Sequence, residues 1–212
     1  MNLVTNGSFE QDPGVVGTAN ENAFADMPGS SGTASWDIWG DGANTYGTEV
    51  VPGWTHESGD GLELQTKNTI PLMPFHGDYY AELDSNNNST ISQSVSLGVG
   101  RHMFSFAYSP RQADSTTNGI SFTLAGLFSG NAMGPGGTYN SVVGDWTVIG
   151  QEFVVDTAGD FLLTFDASTT SDSFGGFIDD VTISAVPVPA GGLLLITALG
   201  GMAAIRRKRK AI

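Results

Sequence analysis

Alternation at a period of two constrains this chain more than any other feature. Ile91, Gln93, Val95 and Leu97 alternate with Ser92, Ser94 and Ser96. In an extended segment that spacing puts the larger side chains on one face and the serines on the other, a division no helix makes. The pattern recurs with His102, Phe104, Phe106 and Tyr108 against Met103, Ser105 and Ala107, and with Ile120, Phe122 and Leu124 against Ser121 and Thr123. Phe161, Leu163 and Phe165 follow, then Phe177, Asp179, Val181 and Ile183. Turn formers separate the runs: "GVG", "TTNG", "GPGG", "DTAGD" and "SFGG". No amphipathic helical stretch of useful length precedes residue 186. The expectation is all-β, one antiparallel β-sandwich domain over residues 1–185. Residues 20–46, rich in Gly, Ser, Asn and Ala, read as an irregular loop or insertion after a first strand near the N-terminus.

Charge is distributed unevenly. Before residue 186 the only basic side chains are Lys67, Arg101 and Arg111, against all 22 acidic ones, a balance of −19. Such a body repels phosphate backbones, so nucleic acid is a poor partner. The absence of cysteine removes thiol nucleophiles, disulfides and thiolate metal sites. His56, His76 and His102 lie far apart, without metal-ligand spacing.

The end of the chain follows other rules. Residues 190–205, "AGGLLLITALGGMAAI", carry no charge, and Arg206, Arg207, Lys208, Arg209 and Lys210 follow at once. With Val186 to Pro189 the apolar run reaches about 20 residues, enough to cross the hydrocarbon of a bilayer. A buried core helix is the alternative, but such a helix does not normally end a domain in five consecutive basic residues. The basic cluster orients the span with its C-terminus in the cytoplasm and the acidic body outside. An exported chain should open with a basic segment and a short apolar one. "MNLVTNGSFE" instead runs straight toward a strand. A leader is therefore expected either to have been removed or to lie upstream of this start.

The order "VPVPA" (Val186, Pro187, Val188, Pro189, Ala190), apolar helix, basic cluster resembles the PEP-CTERM class of sorting signals, in the VPLPA-type variant, with Val188 where leucine is usual. The resemblance implies an exosortase-type processing enzyme as partner and cleavage at the proline motif, which the prolines hold extended. It also implies a Gram-negative source, a single-span anchor in the inner membrane, and a final place at the cell surface or in an extracellular, biofilm-type polysaccharide matrix.

"NLVTNGSFE" at the start, "VPGWT" at 51–55, "GDYYAELDS" at 77–85, "ISQSVSL" at 91–97 and "FIDDVTIS" at 177–184 form a second set. Together they resemble the galactose-binding-like jelly-roll modules, which include carbohydrate-binding families. That resemblance implies a structural calcium held by Glu10 and Asp179, with Asp180 as the alternative ligand. Calcium takes hard oxygen ligands, so carboxylates and carbonyls suit it. Asp179 shares its alternation phase with Phe177, Val181 and Ile183, which places it on the buried face, where an unpaired carboxylate is costly. The opposing reading has Glu10 and Asp180 solvated at strand ends and Asp179 capping a turn.

Carbohydrate recognition calls for exposed aromatic faces beside hydrogen-bonding groups. Trp36 and Trp39, in the polar stretch "SWDIWGDG", are the leading candidates, with Tyr79 and Tyr108 behind them. Trp54, in the Gly-Trp of the motif, and Trp146, at the opening of a strand, read as packed structure. The expected function is non-catalytic binding of carbohydrate or exopolysaccharide. The rivals are a structural matrix or adhesin component and, behind it, a glycoside hydrolase built on one of many carboxylate pairs such as Glu82 and Asp84.

Overall fold

In the computed structural model the described residues are 1–11, 36–39 (backbone only), 51–59, 62–66, 70, 72–84, 87–135 and 143–187. The strands follow the alternating runs closely. They are β1 (Trp36–Trp39), β2 (Thr55–Ser58), β3 (Leu62–Gln65), β4 (Tyr80–Glu82), β5 (Thr90–Leu97) and β6 (Gly100–Ser109). After them come β7 (Ile120–Leu124), β8 (Phe128–Ala132), β9 (Thr147–Val155), β10 (Gly159–Ala167) and β11 (Phe177–Ala185). Among the described residues they form two antiparallel sheets, ordered β1-β3-β4-β11-β6-β9 and β2-β5-β10-β7-β8. β1 lies inside the stretch that composition assigned to an irregular loop. It is an edge strand, pairing Trp36 with Gln65 and Trp39 with Leu62.

The two inner faces meet in an aromatic core. Phe104 and Phe106 from β6, Phe122 from β7 and Phe165 from β10 are all buried. Phe106 lies 5.1 Å from both Phe122 and Phe165, edge to face, an arrangement worth about 0.5–1.5 kcal/mol per pair beyond burial. β5 contributes Ile91, Val95 and Leu97, as its alternation requires. Its Gln93 accepts a bond from the Thr5 N–H (2.6 Å) and donates to the Thr5 carbonyl (2.9 Å), tying the N-terminal segment to the sheet.

That N-terminal segment is not the ladder strand its sequence suggests. Residues 1–11 run beside the upper part of β11, where β4 no longer covers its edge. The Leu3 N–H donates to the Ile183 carbonyl and the Val181 N–H to the Gly7 carbonyl, both at 2.8 Å. Gly7 packs so closely that a Cβ there would sit 1.9 Å from the Val181 carbonyl oxygen, which only glycine avoids. Asn6 (φ 48°) and Phe9 (φ 59°) both adopt left-handed backbone. The turn drives Phe9 into the core, stacked on Trp54 at 5.7 Å. Trp54 is buried as its motif led one to expect, and its Nε1–H donates to the Asn6 carbonyl at 3.0 Å. The N-G-x-F-E signature is thus a compact plug, not a strand.

A second departure lies in β11. Its pairing with β6 slips between Asp179 and Thr182, and Asp180 sits at φ 47°. A bulge inserts one residue and reverses the alternation phase beyond it. Ile178, Val181 and Ile183 belong to the main core, whereas Phe177 packs with Leu72 and Tyr80 in a separate cluster. Phe177 and Asp179 therefore occupy the outer face of the six-stranded sheet, and the expectation that Asp179 shares a face with Val181 and Ile183 is corrected.

β11 ends in a last bond, Val186 N–H to the Arg101 carbonyl at 2.8 Å, and Pro187 is exposed. Val188, Pro189 and Ala190, the apolar span and the basic cluster from Arg206 to Lys210 lie outside the described residues. Among the described residues no helix is long and apolar enough to cross a membrane.

Candidate functional site

The outer face of the six-stranded sheet carries polar chemistry that a plain sandwich does not need. Glu63 and Gln65 from β3 and Glu82 from β4 are buried side by side. The Gln65 amide donates to Glu63 at 2.6 Å and also to Glu82. Arg111, just beyond β6, donates from Nη1 to Glu82 Oε2 at 2.5 Å, and the Gly175 N–H donates to Glu82 Oε1 at 2.6 Å. Burial, and then the charge of Glu63, push the Glu82 carboxyl well above the ordinary range, while Arg111 pulls it back. Burial likewise raises Glu63. Both carboxylates hold one amide beneath a guanidinium. They do not face each other across a cleft, as a glycosidase pair must. Asp84 is also buried, accepting from the Asp172 N–H at 3.0 Å and the Ser171 hydroxyl at 3.3 Å.

Above this network opens a cleft of about 390 Å³. Its walls are mainly apolar, with Ile70, Leu72, Val143, Phe174 and Phe177 prominent and Arg111 and Gln112 the polar exceptions. The loop "SFGG" shapes one side. Its Gly176 lies where a Cβ would come within 2.4 Å of the Asn118 carbonyl, so the chain lies flat there and leaves Phe174 standing out. The Phe174 ring is 41% exposed, with the Arg111 guanidinium 4.9 Å from its centroid, a cation–π contact that stiffens the ring. Trp146 stands nearby, half-buried over Tyr80 (5.8 Å) and Phe75 (6.2 Å), with its Nε1–H donating to the Met73 carbonyl at 2.7 Å. Trp146 is packed structure, as expected, but against this outer cluster and not in the main core.

A second group gathers around residues 75–79. Glu10 Oε1 accepts from the N–H groups of Asp78 and Tyr79, each at 2.9 Å. Asp179 Oδ2 accepts from the His76 N–H at 2.9 Å and Oδ1 from the Asp180 N–H at 2.6 Å. Burial raises the Asp179 carboxyl to about 8, with the Glu10 charge adding to the shift and the backbone N–H groups opposing it. Burial also raises Glu10. The bulge residue Asp180 contributes its N–H to this group. Among the described residues no cluster of three or more His, Asp or Glu side chains gathers at one point. A cation here would have the carboxylates of Glu10 and Asp179 as its side-chain oxygen donors, and both already accept backbone N–H bonds.

The candidate aromatic residues fare unevenly. Tyr79 is 5% exposed and Tyr108 is fully buried, its hydroxyl donating to the Asn118 carbonyl (2.8 Å) and accepting from the Gly134 N–H (3.0 Å). Neither ring has a face to offer a ligand, so both are corrected from platform to core. Alternation already placed Tyr108 in phase with Phe104 and Phe106. The side chains of Trp36 and Trp39 lie outside the described residues; their backbones stand at the edge of this same sheet. Sequence reasoning missed Phe174 and Arg111. The only signal was Phe174 beside a glycine pair, with an isolated cation in an acidic body.

No protein-family model matches the sequence, and no curated protein matches it. Solved structures do. A family 61 carbohydrate-binding module, determined with β-1,4-galactotriose, matches 88% of this chain and 99% of its own, with a TM-score of 0.52 and 13% identity. A family 6 module of Cellvibrio mixtus lichenase 5A, determined with cellotriose, covers 72% of this chain and 97% of its own, with a TM-score of 0.37 and 12% identity. An arabinose-bound family 51 α-L-arabinofuranosidase matches 86% of this chain and 26% of its own, with a TM-score of 0.46 and 12% identity. The first likeness establishes the fold: an all-β, two-sheet sandwich of the kind carbohydrate-binding modules use.

Proposed function

We propose that the body is a non-catalytic carbohydrate-binding module whose ligand lies in the cleft on the outer face of the six-stranded sheet. The observation that carries this reading is Phe174, an exposed ring held over a guanidinium at the mouth of a preformed cleft. Pockets that bind small molecules combine apolar walls with a few placed polar groups, and sugars present apolar C–H faces to aromatic rings. The fold shared with the family 61 module supports the same reading. Affinity electrophoresis in gels containing soluble polysaccharides tests it. Retardation that disappears in Phe174→Ala, with the melting temperature unchanged, is the expected result. A protein that migrates freely through every polysaccharide tried is instead a structural matrix or adhesin component.

Two further parts belong to the proposal. Glu10 and Asp179 hold a structural calcium, which would bring positive charge to two carboxylates raised by burial. The C-terminal segment directs the chain to export, anchors it in the inner membrane with a cytoplasmic C-terminus, and releases it to the cell surface or matrix after cleavage near Pro189. The residue pattern of 186–210 supports this destination. Mass spectrometry of the exported protein tests it, since retention of the basic cluster there contradicts cleavage.

A further inference from the structure

Resting on the carbohydrate reading above, we infer that the cleft selects an acyl-substituted sugar, one bearing an O-acetyl or N-acetyl group, over the unsubstituted one. The argument begins with what the cleft lacks. A plain hexose presents hydroxyls all round, and each one moved from water against an apolar wall without a partner is costly. Ile70, Leu72, Val143 and Phe177 offer no such partner, and Gln112 is the one neutral polar side chain in the lining. An acetyl group presents a methyl to those walls and a single acceptor oxygen.

The cleft supplies a donor for that oxygen. Arg111 gives Nη1 to Glu82 and to the Ser173 carbonyl (3.3 Å). A guanidinium carries five N–H donors, and among the described residues Nε and Nη2 have no protein acceptor. Its side chain keeps 19% of its surface exposed, at a position that lines the cleft. A donor set in an apolar wall matches a carbonyl attached to a methyl.

Charge decides between an acyl carbonyl and the carboxylate of an acidic sugar. Arg111 faces Glu82 directly, and Glu63 shares the Gln65 amide with Glu82. With both carboxyls ionised the group is net negative; with one protonated it is neutral. Only with both protonated would the guanidinium stand unbalanced, and the body around it carries a large negative excess in every state. An anionic sugar gains nothing on entry, whereas a neutral acyl group escapes that repulsion.

Acetylated glucomannan, acetylated xylan and fully N-acetylated chitooligosaccharides are compared with their deacetylated forms by affinity electrophoresis or calorimetry of the full chain, with polygalacturonate as the acidic probe. The expected result is binding at least about tenfold tighter to one or more acetylated forms than to the matched deacetylated form, as loss of a donor–acceptor pair in an apolar site predicts. Phe174→Ala should abolish that binding, and Arg111→Lys should narrow the acetyl preference while the melting temperature holds. Equal binding to acetylated and bare forms overturns the acyl preference and leaves the carbohydrate reading standing. So does tighter binding to polygalacturonate. Absence of binding to every glycan overturns both.

Discussion

Replacing Arg111 by methionine removes the guanidinium but keeps an apolar stem against Phe174 and Phe177. Glu82 is fully buried, and its Oε2 loses the Arg111 partner at 2.5 Å, keeping only the Gln65 donor, while Oε1 keeps the Gly175 N–H. Breaking a buried pair from one side costs about 3–5 kcal/mol. Because Arg111 is partly exposed, the lower end, about 3 kcal/mol near pH 7.5, is the expected loss. The pH dependence is the sharper test. A carboxyl whose pKa is raised by folding binds its proton more tightly in the folded state. Its stabilising share is fully present below the unfolded value near 4.5, and is lost as pH rises through the folded value. Without Arg111 the folded value climbs further, so stability falls by up to about 1.4 kcal/mol per pH unit across that window. Urea unfolding followed by tryptophan fluorescence at pH 4.5, 6.0 and 7.5 reads this directly. The gap between wild type and Arg111→Met should shrink to under about 1 kcal/mol at pH 4.5. Adding Glu82→Gln should recover most of the loss at pH 7.5, because no buried charge then remains unpaired. Parallel stability profiles, or a loss below about 1 kcal/mol at pH 7.5, would refute the reasoning.

Three other outcomes follow from the same geometry. Trp54→Ala should cost about 3–5 kcal/mol by opening a cavity beside Phe9 and Phe165; Trp54→Phe should cost about 1 kcal/mol for the lost bond to Asn6, both read from urea midpoints. Calcium at 100 times its dissociation constant should stabilise the wild type by about 2.7 kcal/mol relative to EDTA, and should leave Glu10→Gln and Asp179→Asn unchanged in thermal melts. Gly7→Ala, which forces a methyl against the Val181 carbonyl, should lower the melting temperature by several degrees, roughly 2–4 °C per kcal/mol in a domain of this size.

The strands were legible because their evidence is local. Ile120, Phe122 and Leu124 alternate in the chain, and β7 spans Ile120–Leu124 with those three buried. The aromatic assignments were less secure, since a ring's exposure depends on what another segment lays over it. Tyr79, just before β4, and Tyr108 in β6 are both buried, whereas Phe174 is left standing by glycines that let its loop lie flat against the 118 region. No count of aromatics along the chain distinguishes these cases.

Asp179 marks the boundary between the two kinds of information. Residue types alone dictated a β-sandwich, an acidic body, and a C-terminal segment built unlike the rest, because periodicity, charge and apolar length are properties of neighbouring residues. The resemblance of the first and last motifs to galactose-binding-like modules named Glu10 and Asp179 as a candidate pair before any contact was known. The direction in which Asp179 points was another matter. One inserted residue, Asp180 at φ 47°, turned the outer half of β11 over, setting Phe177 and Asp179 on the outer face and Val181 in the core. The same outer face then acquired Arg111, Glu82 and Gln65 from segments distant in sequence. A bulge and a cleft arise from how separate segments pack, and only the folded chain decides that.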